Sequence, residues 1–141
     1  MLEQFAQSLQ ANYRQTVAAF LELQVRGSAG SHQVLASLTA ALRGHGDADP
    51  RALAAGLTQL RDSDLRPLAR GITTPALVIA GQHDRVTPPA AAAALVQLLP
   101  QAQSLLLARA AHAPFLSHLA AVTHAILESV RAVQRADGTG A

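Results

Sequence analysis

Two side chains in this sequence could share a proton-transfer task, Asp84 and His112. Asp84 stands in Gly81-Gln82-His83-Asp84-Arg85-Val86-Thr87-Pro88, directly after the short apolar run Ala76-Leu77-Val78-Ile79-Ala80-Gly81. His112 stands in Ala110-Ala111-His112-Ala113-Pro114, just after a second apolar run, Ser104-Leu105-Leu106-Leu107-Ala108. A carboxylate that accepts a hydrogen bond from one imidazole nitrogen fixes the tautomer and stabilises the imidazolium. The other nitrogen is then free to take a proton from a hydroxyl nucleophile.

Taken singly, each residue has an ordinary explanation. An Asp after a strand commonly serves a turn, and a loop His is commonly solvated. The joint pattern is more specific: strand, Gly-x-x-Asp-x-Val-x-Pro, helix, strand, then a small-small-His loop. Ligands of open α/β sheets bind outside the carboxyl ends of the strands, and this pattern puts both groups at that edge. The order acid then histidine is the one used by serine hydrolases whose nucleophile lies upstream.

No such nucleophile is found. The Gly-x-Ser-x-Gly elbow does not occur, and Gly27-Ser28-Ala29-Gly30 has the wrong spacing and reads as a plain linker between helices. Among the other histidines, His83 is read as an exposed neighbour of Asp84, and His32 and His45 are isolated. His118 and His124 fall on the last helix at a spacing that does not share a face. No metal-ligand spacing appears, and no cofactor is implied.

The elements that must position the pair are legible from periodicity. Apolar residues between Leu2 and Val25 recur three or four apart, predicting one amphipathic helix that Gly27 to Gly30 stops. A second helix is predicted over about 31–42 with Ser31 as N-cap, then a loop over 44–49, and a third helix over about 50–61 opened by Pro50. The period then changes. The two apolar runs read as parallel strands, adjacent or nearly so and buried on both faces, with a helix between them from Pro88-Pro89 to Leu99. A long helix follows from about Phe115 to Gln134. The predicted organisation is a helical region over 1–64, an α/β region over 65–134 and a disordered tail over 135–141.

Composition agrees with a folded chain. Half of the 141 residues are hydrophobic, and only 3% are aromatic. The high pI, about 10.4, reflects eleven Arg without Lys against nine acids, a net charge of only +2. No basic block interleaves with aromatics, so nucleic-acid binding is not expected. There is no cysteine, no signal-like N-terminus and no apolar run long enough to span a membrane, so the expected location is cytoplasmic.

With these residues in view, the stretch from Pro75 through Asp84 and Pro88 to His112 resembles the last third of the α/β-hydrolase superfamily. The segment from Ala110 to His118 is similar to the histidine loop of the biotin-synthesis carboxylesterases that demethylate pimeloyl-acyl-carrier-protein methyl ester. Residues 2–6 and 15–24 resemble the start of that family's helical lid, and residues 60–66 its return to the core. The resemblance implies a serine carboxylesterase with Asp84 as triad acid and His112 as general base. It further implies a lid over an acyl chain lined by Phe20 and Leu23, an acyl ester substrate and an acyl carrier protein as partner. Where the family's lid arginines meet the carrier, the matching positions here hold Gln15, Ala19, His32 and Ala36. Arg14, Arg26 and Arg43 lie nearby, and Arg14 and Arg26 are the candidate carrier contacts.

Two parallel strands do not make a stable sheet. The expectation is therefore the C-terminal part of an esterase whose N-terminal core is missing, inactive alone, relying on a missing N-terminal hydrolase piece or on self-association. Two other readings remain open. One is a non-catalytic helical interaction module with a covered sheet edge. The other is a fragment of a different α/β-hydrolase, such as a C–C or epoxide hydrolase.

Overall fold

The computed structural model of the chain describes residues 2–138. The apolar stripe from Leu2 to Val25 forms two helices rather than one, α1 (Leu2–Ala11) and α2 (Tyr13–Val25). The break falls at Asn12, whose backbone (φ −153°, ψ 83°) leaves the helical region. Its side-chain oxygen accepts from the Gln15 N–H at 3.3 Å, and Thr16 Oγ1 donates to the Ser8 carbonyl at 2.9 Å. Asn bonds to nearby backbone through its own side chain, so it caps a helix more readily than it continues one. The rings of Phe5 and Phe20 meet across the break, 5.1 Å between centroids and tilted by 47°, a favourable aromatic geometry.

Helix α3 (Ser31–His45) is longer than periodicity suggests and takes in Gly44. Ser31 does not cap it; the cap position is held by Gly30, in the left-handed conformation and without a side-chain bond. Helix α4 (Pro50–Asp62) begins at Pro50 as expected. Asp49 Oδ1 accepts from the N–H groups of Arg51 (2.7 Å) and Ala52 (3.2 Å), satisfying two donors that the helix leaves open. Asp49→Ala is expected to cost about 1 kcal/mol, read as an earlier urea midpoint with faster exchange confined to α4. An unchanged midpoint would show that the cap contributes nothing.

A short helix not foreseen in the sequence, α5 (Arg66–Ala69), leads to the sheet. Just before it, Arg66 bonds Asp64 through Nε and Nη2 at 2.8 Å each and through its backbone N–H at 3.0 Å. These bonds, the side-chain ones foremost, hold the Asp64 carboxyl down at about 2.

The strands β1 (Ala76–Gly81) and β2 (Ala102–Leu107) are adjacent and parallel, as the two apolar runs predict. Their register runs from Ala76 opposite Ala102 to Gly81 opposite Leu107. Helix α6 (Pro89–Leu98) makes the crossover and packs on both. The strands are less buried than expected. Residues 76–80 are half-buried, Gln103 and Ser104 are exposed, and Leu106 remains 57% exposed. Among the described residues each strand has a neighbour on one side only, and α7 (Pro114–Ser117) and α8 (Leu119–Gly138) reach β1, leaving β2 with less cover.

The single C-terminal helix expected from Phe115 is in fact α7 and α8. His118 (φ −132°, ψ 41°) separates them, its N–H bonded to the Pro114 carbonyl at 2.7 Å, so it does not share a helix with His124. Helix α8 continues through Gly138. Residues 135–138, expected in a disordered tail, are therefore helical, because Arg and Ala favour helix and the first glycine comes only at 138. The rest of that tail, 139–141, lies outside the described residues. Buried apolar side chains run from Leu21, Val25 and Val34 in the helical half to Ala110, Ala111 and Ala113 after β2. No described helix is long and apolar enough to cross a membrane.

Candidate active site

Beyond β1 the chain turns tightly. The Gln82 N–H bonds the Leu107 carbonyl at 3.0 Å, the His83 N–H bonds the Ala110 carbonyl at 2.8 Å, and the Asp84 N–H bonds the Gly81 carbonyl at 3.2 Å. The loop after β2 is thereby laid across the end of β1. Its alanines make this possible, since Ala110 and Ala111 are fully buried there. Gly81 completes the fit: a Cβ at this position would fall on the carbonyl oxygens of Ala110 and Ala111. The small-small-His signature and the strand-ending glycine are thus two sides of one close backbone contact.

Asp84 serves a turn and a histidine at once. Its Oδ1 accepts from the N–H groups of Val86 and Thr87, each at 2.8 Å, and its Oδ2 lies 2.9 Å from His112 Nδ1. The Asp84 side chain is 8% exposed and that of His112 is 34% exposed. Both carboxylate oxygens are occupied, so the side chain cannot rotate without losing hydrogen bonds worth about 1–3 kcal/mol each in a charged setting. A carboxylate can only accept, so His112 donates from Nδ1 and the Nε2 lone pair points away from Asp84. Among the described residues nothing hydrogen-bonds to Nε2. The arrangement can receive a proton at Nε2 and stabilise the resulting imidazolium.

The helical half reaches both loops through the C-terminal end of α2 and the segment that follows it. The His112 N–H bonds the Gln24 carbonyl at 2.9 Å, and the Ala29 N–H bonds the carbonyl of Arg109 at 2.9 Å. Arg109 adopts a positive φ of 53°. His83 Nδ1 lies 2.7 Å from the Gly27 carbonyl. Residues 27–30 are therefore more than a plain linker, and His83, exposed as expected, is not a bystander.

The other residues singled out in the sequence are spread out. Phe20 is engaged with Phe5, and Leu23 is half-buried on α2 next to Gln24. Arg14 and Arg26 sit at opposite ends of α2, about 18 Å apart by helical rise. Arg14 pairs with Asp47 at 3.4 Å and is largely exposed. Arg26 instead lines a cavity of about 420 Å³ together with Gly27, Gln82, His83, Asp84 and Arg85. Sequence reasoning missed Gln24 and Gly27. Both act through backbone carbonyls, which carry no residue-type signature, so only the glycine at 27 offered a signal.

Known proteins share this architecture. A family profile described as alpha/beta hydrolase fold matches residues 2–119. The chain is 42% identical over 130 residues to the pimeloyl-[acyl-carrier protein] methyl ester esterase of Xanthomonas axonopodis pv. citri (strain 306), covering 92% of this chain and 51% of that protein. It is 40% identical over 138 residues to the esterase of the same name from Stenotrophomonas maltophilia (strain K279a), covering 98% and 53%. The chain spans about half the length of these curated relatives. Among solved structures, the esterase EaEST from Exiguobacterium antarcticum superposes with a TM-score of 0.75 at 18% identity, over 92% of this chain and 47% of that one, a likeness of fold. The parallel pair and its crossover helix lie within the matched residues, and the chain belongs to the alpha/beta hydrolase fold family.

Proposed function

We propose that Asp84 and His112 are the acid and general base of a serine carboxylesterase. In this reading, residues 1–64 form a lid and residues 65–134 the last two strands and helices of the hydrolase core, while the nucleophile and oxyanion hole come from a further hydrolase segment. The observation that carries the proposal is the 2.9 Å bond from His112 Nδ1 to Asp84 beside an Nε2 with no described partner. A second observation supports it: β1 has a strand neighbour on one side only among the described residues. The names of the relatives suggest the substrate, a methyl ester of an acyl group held on a carrier protein.

The chemistry follows from the orientation of the imidazole. A serine hydroxyl attacks the ester carbonyl as Nε2 takes its proton, with Asp84 stabilising the imidazolium. The tetrahedral intermediate collapses to an acyl-serine as the departing methoxide takes that proton and leaves as methanol. Water, deprotonated by the same nitrogen, then releases the acid and regenerates the serine. Leu23, next to the residue whose carbonyl holds the His112 backbone, is assigned to the acyl chain together with Phe20. Arg26, at the cavity beside Asp84, is assigned to the carrier with Arg14.

The test is complementation. The chain is co-expressed with the part of the Xanthomonas axonopodis esterase that it does not match. A fluorophosphonate probe is expected to label the partner's serine in the complex, and the methyl ester is expected to be hydrolysed, while this chain alone stays unlabelled. Stoichiometric labelling of the chain alone would overturn the assignment. So would a complex that hydrolyses the ester equally well with His112→Ala.

A further inference from the structure

We propose that His83 is a positioning residue. Its side chain ties the segment between α2 and α3 to the loops bearing Asp84 and His112, and so holds the Asp84–His112 pair in register. This rests on the pair being the catalytic one, as proposed above. Three observations carry it. His83 Nδ1 lies 2.7 Å from the Gly27 carbonyl oxygen, across 56 residues of sequence. The backbone N–H of the same residue bonds the Ala110 carbonyl at 2.8 Å, two residues before His112. Asp84 is its immediate neighbour. One residue therefore touches the helical half, the histidine loop and the acid loop.

The contact is built from both sides. Gly27 has φ +85°, a conformation that costs glycine little. A Cβ there would stand 3.1 Å from His83 Nδ1 and 3.3 Å from His83 Cβ, so a side chain at position 27 would push the imidazole away. Two further bonds flank the contact, Ala29 N–H to Arg109 and His112 N–H to Gln24. Of these three ties, only the His83 bond depends on a side chain. A carbonyl oxygen can only accept, so His83 Nδ1 must carry a proton, and in the neutral ring Nε2 is bare. A proton placed on Nε2 alone would turn two lone pairs toward each other and open the tie.

Asn offers the decisive substitution, because its Nδ2 occupies nearly the same place as His Nδ1 and always donates. Three proteins are compared as full chains by nuclear magnetic resonance and amide exchange: wild type, His83→Ala and His83→Asn. In His83→Ala, the Ala29 and His112 amides are expected to exchange at least tenfold faster, while β1 amides 77–80 keep their wild-type rates. The His112 Nδ1–H resonance is expected to broaden or vanish as its exchange with water rises. His83→Asn is expected to restore both signals. Unchanged rates at Ala29 and His112 would overturn the proposal. So would an equal acceleration in β1, which would mark a general structural role. If His83→Ala does not fold, ¹⁵N shifts of the wild-type ring decide, and a neutral His83 protonated only at Nε2 would end the proposal. None of these readings needs esterase activity. Loss of the His112 Nδ1–H signal in the wild type would instead count against the catalytic pair itself.

Discussion

Asp84→Asn is expected to lower kcat of the complemented esterase by about 10⁴-fold while leaving the fold of this chain intact. The amide oxygen of Asn can still accept from the Val86 and Thr87 N–H groups, because Oδ1 already faces both at 2.8 Å. Turning the amide round would put its NH₂ group against those two donors and leave them unpaired. The NH₂ therefore faces His112, where a carboxylate oxygen sits at 2.9 Å in the native chain. Two donors cannot share that contact, so His112 must carry its proton on Nε2. A nitrogen already protonated cannot take a proton from serine, and the imidazolium also loses its counter-charge. The measurement is kcat on the carrier-bound methyl ester, with the urea midpoint of the isolated chain as control. A loss below tenfold with an unchanged midpoint would remove Asp84 from the mechanism.

The second large effect is one of shape. Gly81→Ala places a methyl group on the carbonyl oxygens of Ala110 and Ala111, both backbone atoms of residues that are fully buried. No side chain can swing aside, so one strand end or the loop must move. Moving the loop breaks the His83–Ala110 bond and shifts His112 from Asp84. Overpacking of this kind costs about 3 kcal/mol, and the displaced hydrogen bonds add to it. The variant is expected to unfold at a clearly lower urea concentration and to lose the His112 Nδ1–H resonance even where it remains folded. Wild-type stability with an intact resonance would show that the loop yields without cost, against the geometry described.

The acid–base pair was legible in the sequence for a physical reason. A parallel strand reads as a continuous apolar run, and Gly81, Asp84, the crossover helix and His112 follow in the order of a β-α-β unit. What escaped was written in the backbone. The Gln24 and Gly27 carbonyls carry no residue-type signature, so the ties from the helical half to the two loops could not be read from pattern. Helix breaks escaped for a related reason. The apolar stripe runs through Asn12 without interruption, because α1 and α2 both bury their apolar faces, and only the capping chemistry of Asn12 and Thr16 ends the first helix. At the C-terminus the opposite happened: a polar composition suggested a tail, while helix-favouring Arg and Ala kept α8 going to Gly138.

The bonds that fix the pair differ greatly in how far apart their ends lie along the chain. Asp84 and His112 are separated by 28 residues, His83 and Gly27 by 56, and Gln24 and His112 by more still. Closing a longer loop costs more chain entropy, and contacts that close long loops tend to form late. The β1–α6–β2 unit can assemble first and bring the carboxylate to the imidazole, whereas the carbonyl of Gln24 can reach the His112 backbone only after the helical half has docked. Forming the pair and fixing it are thus two separate closures, one within the β1–α6–β2 unit and one that needs the helical half in place.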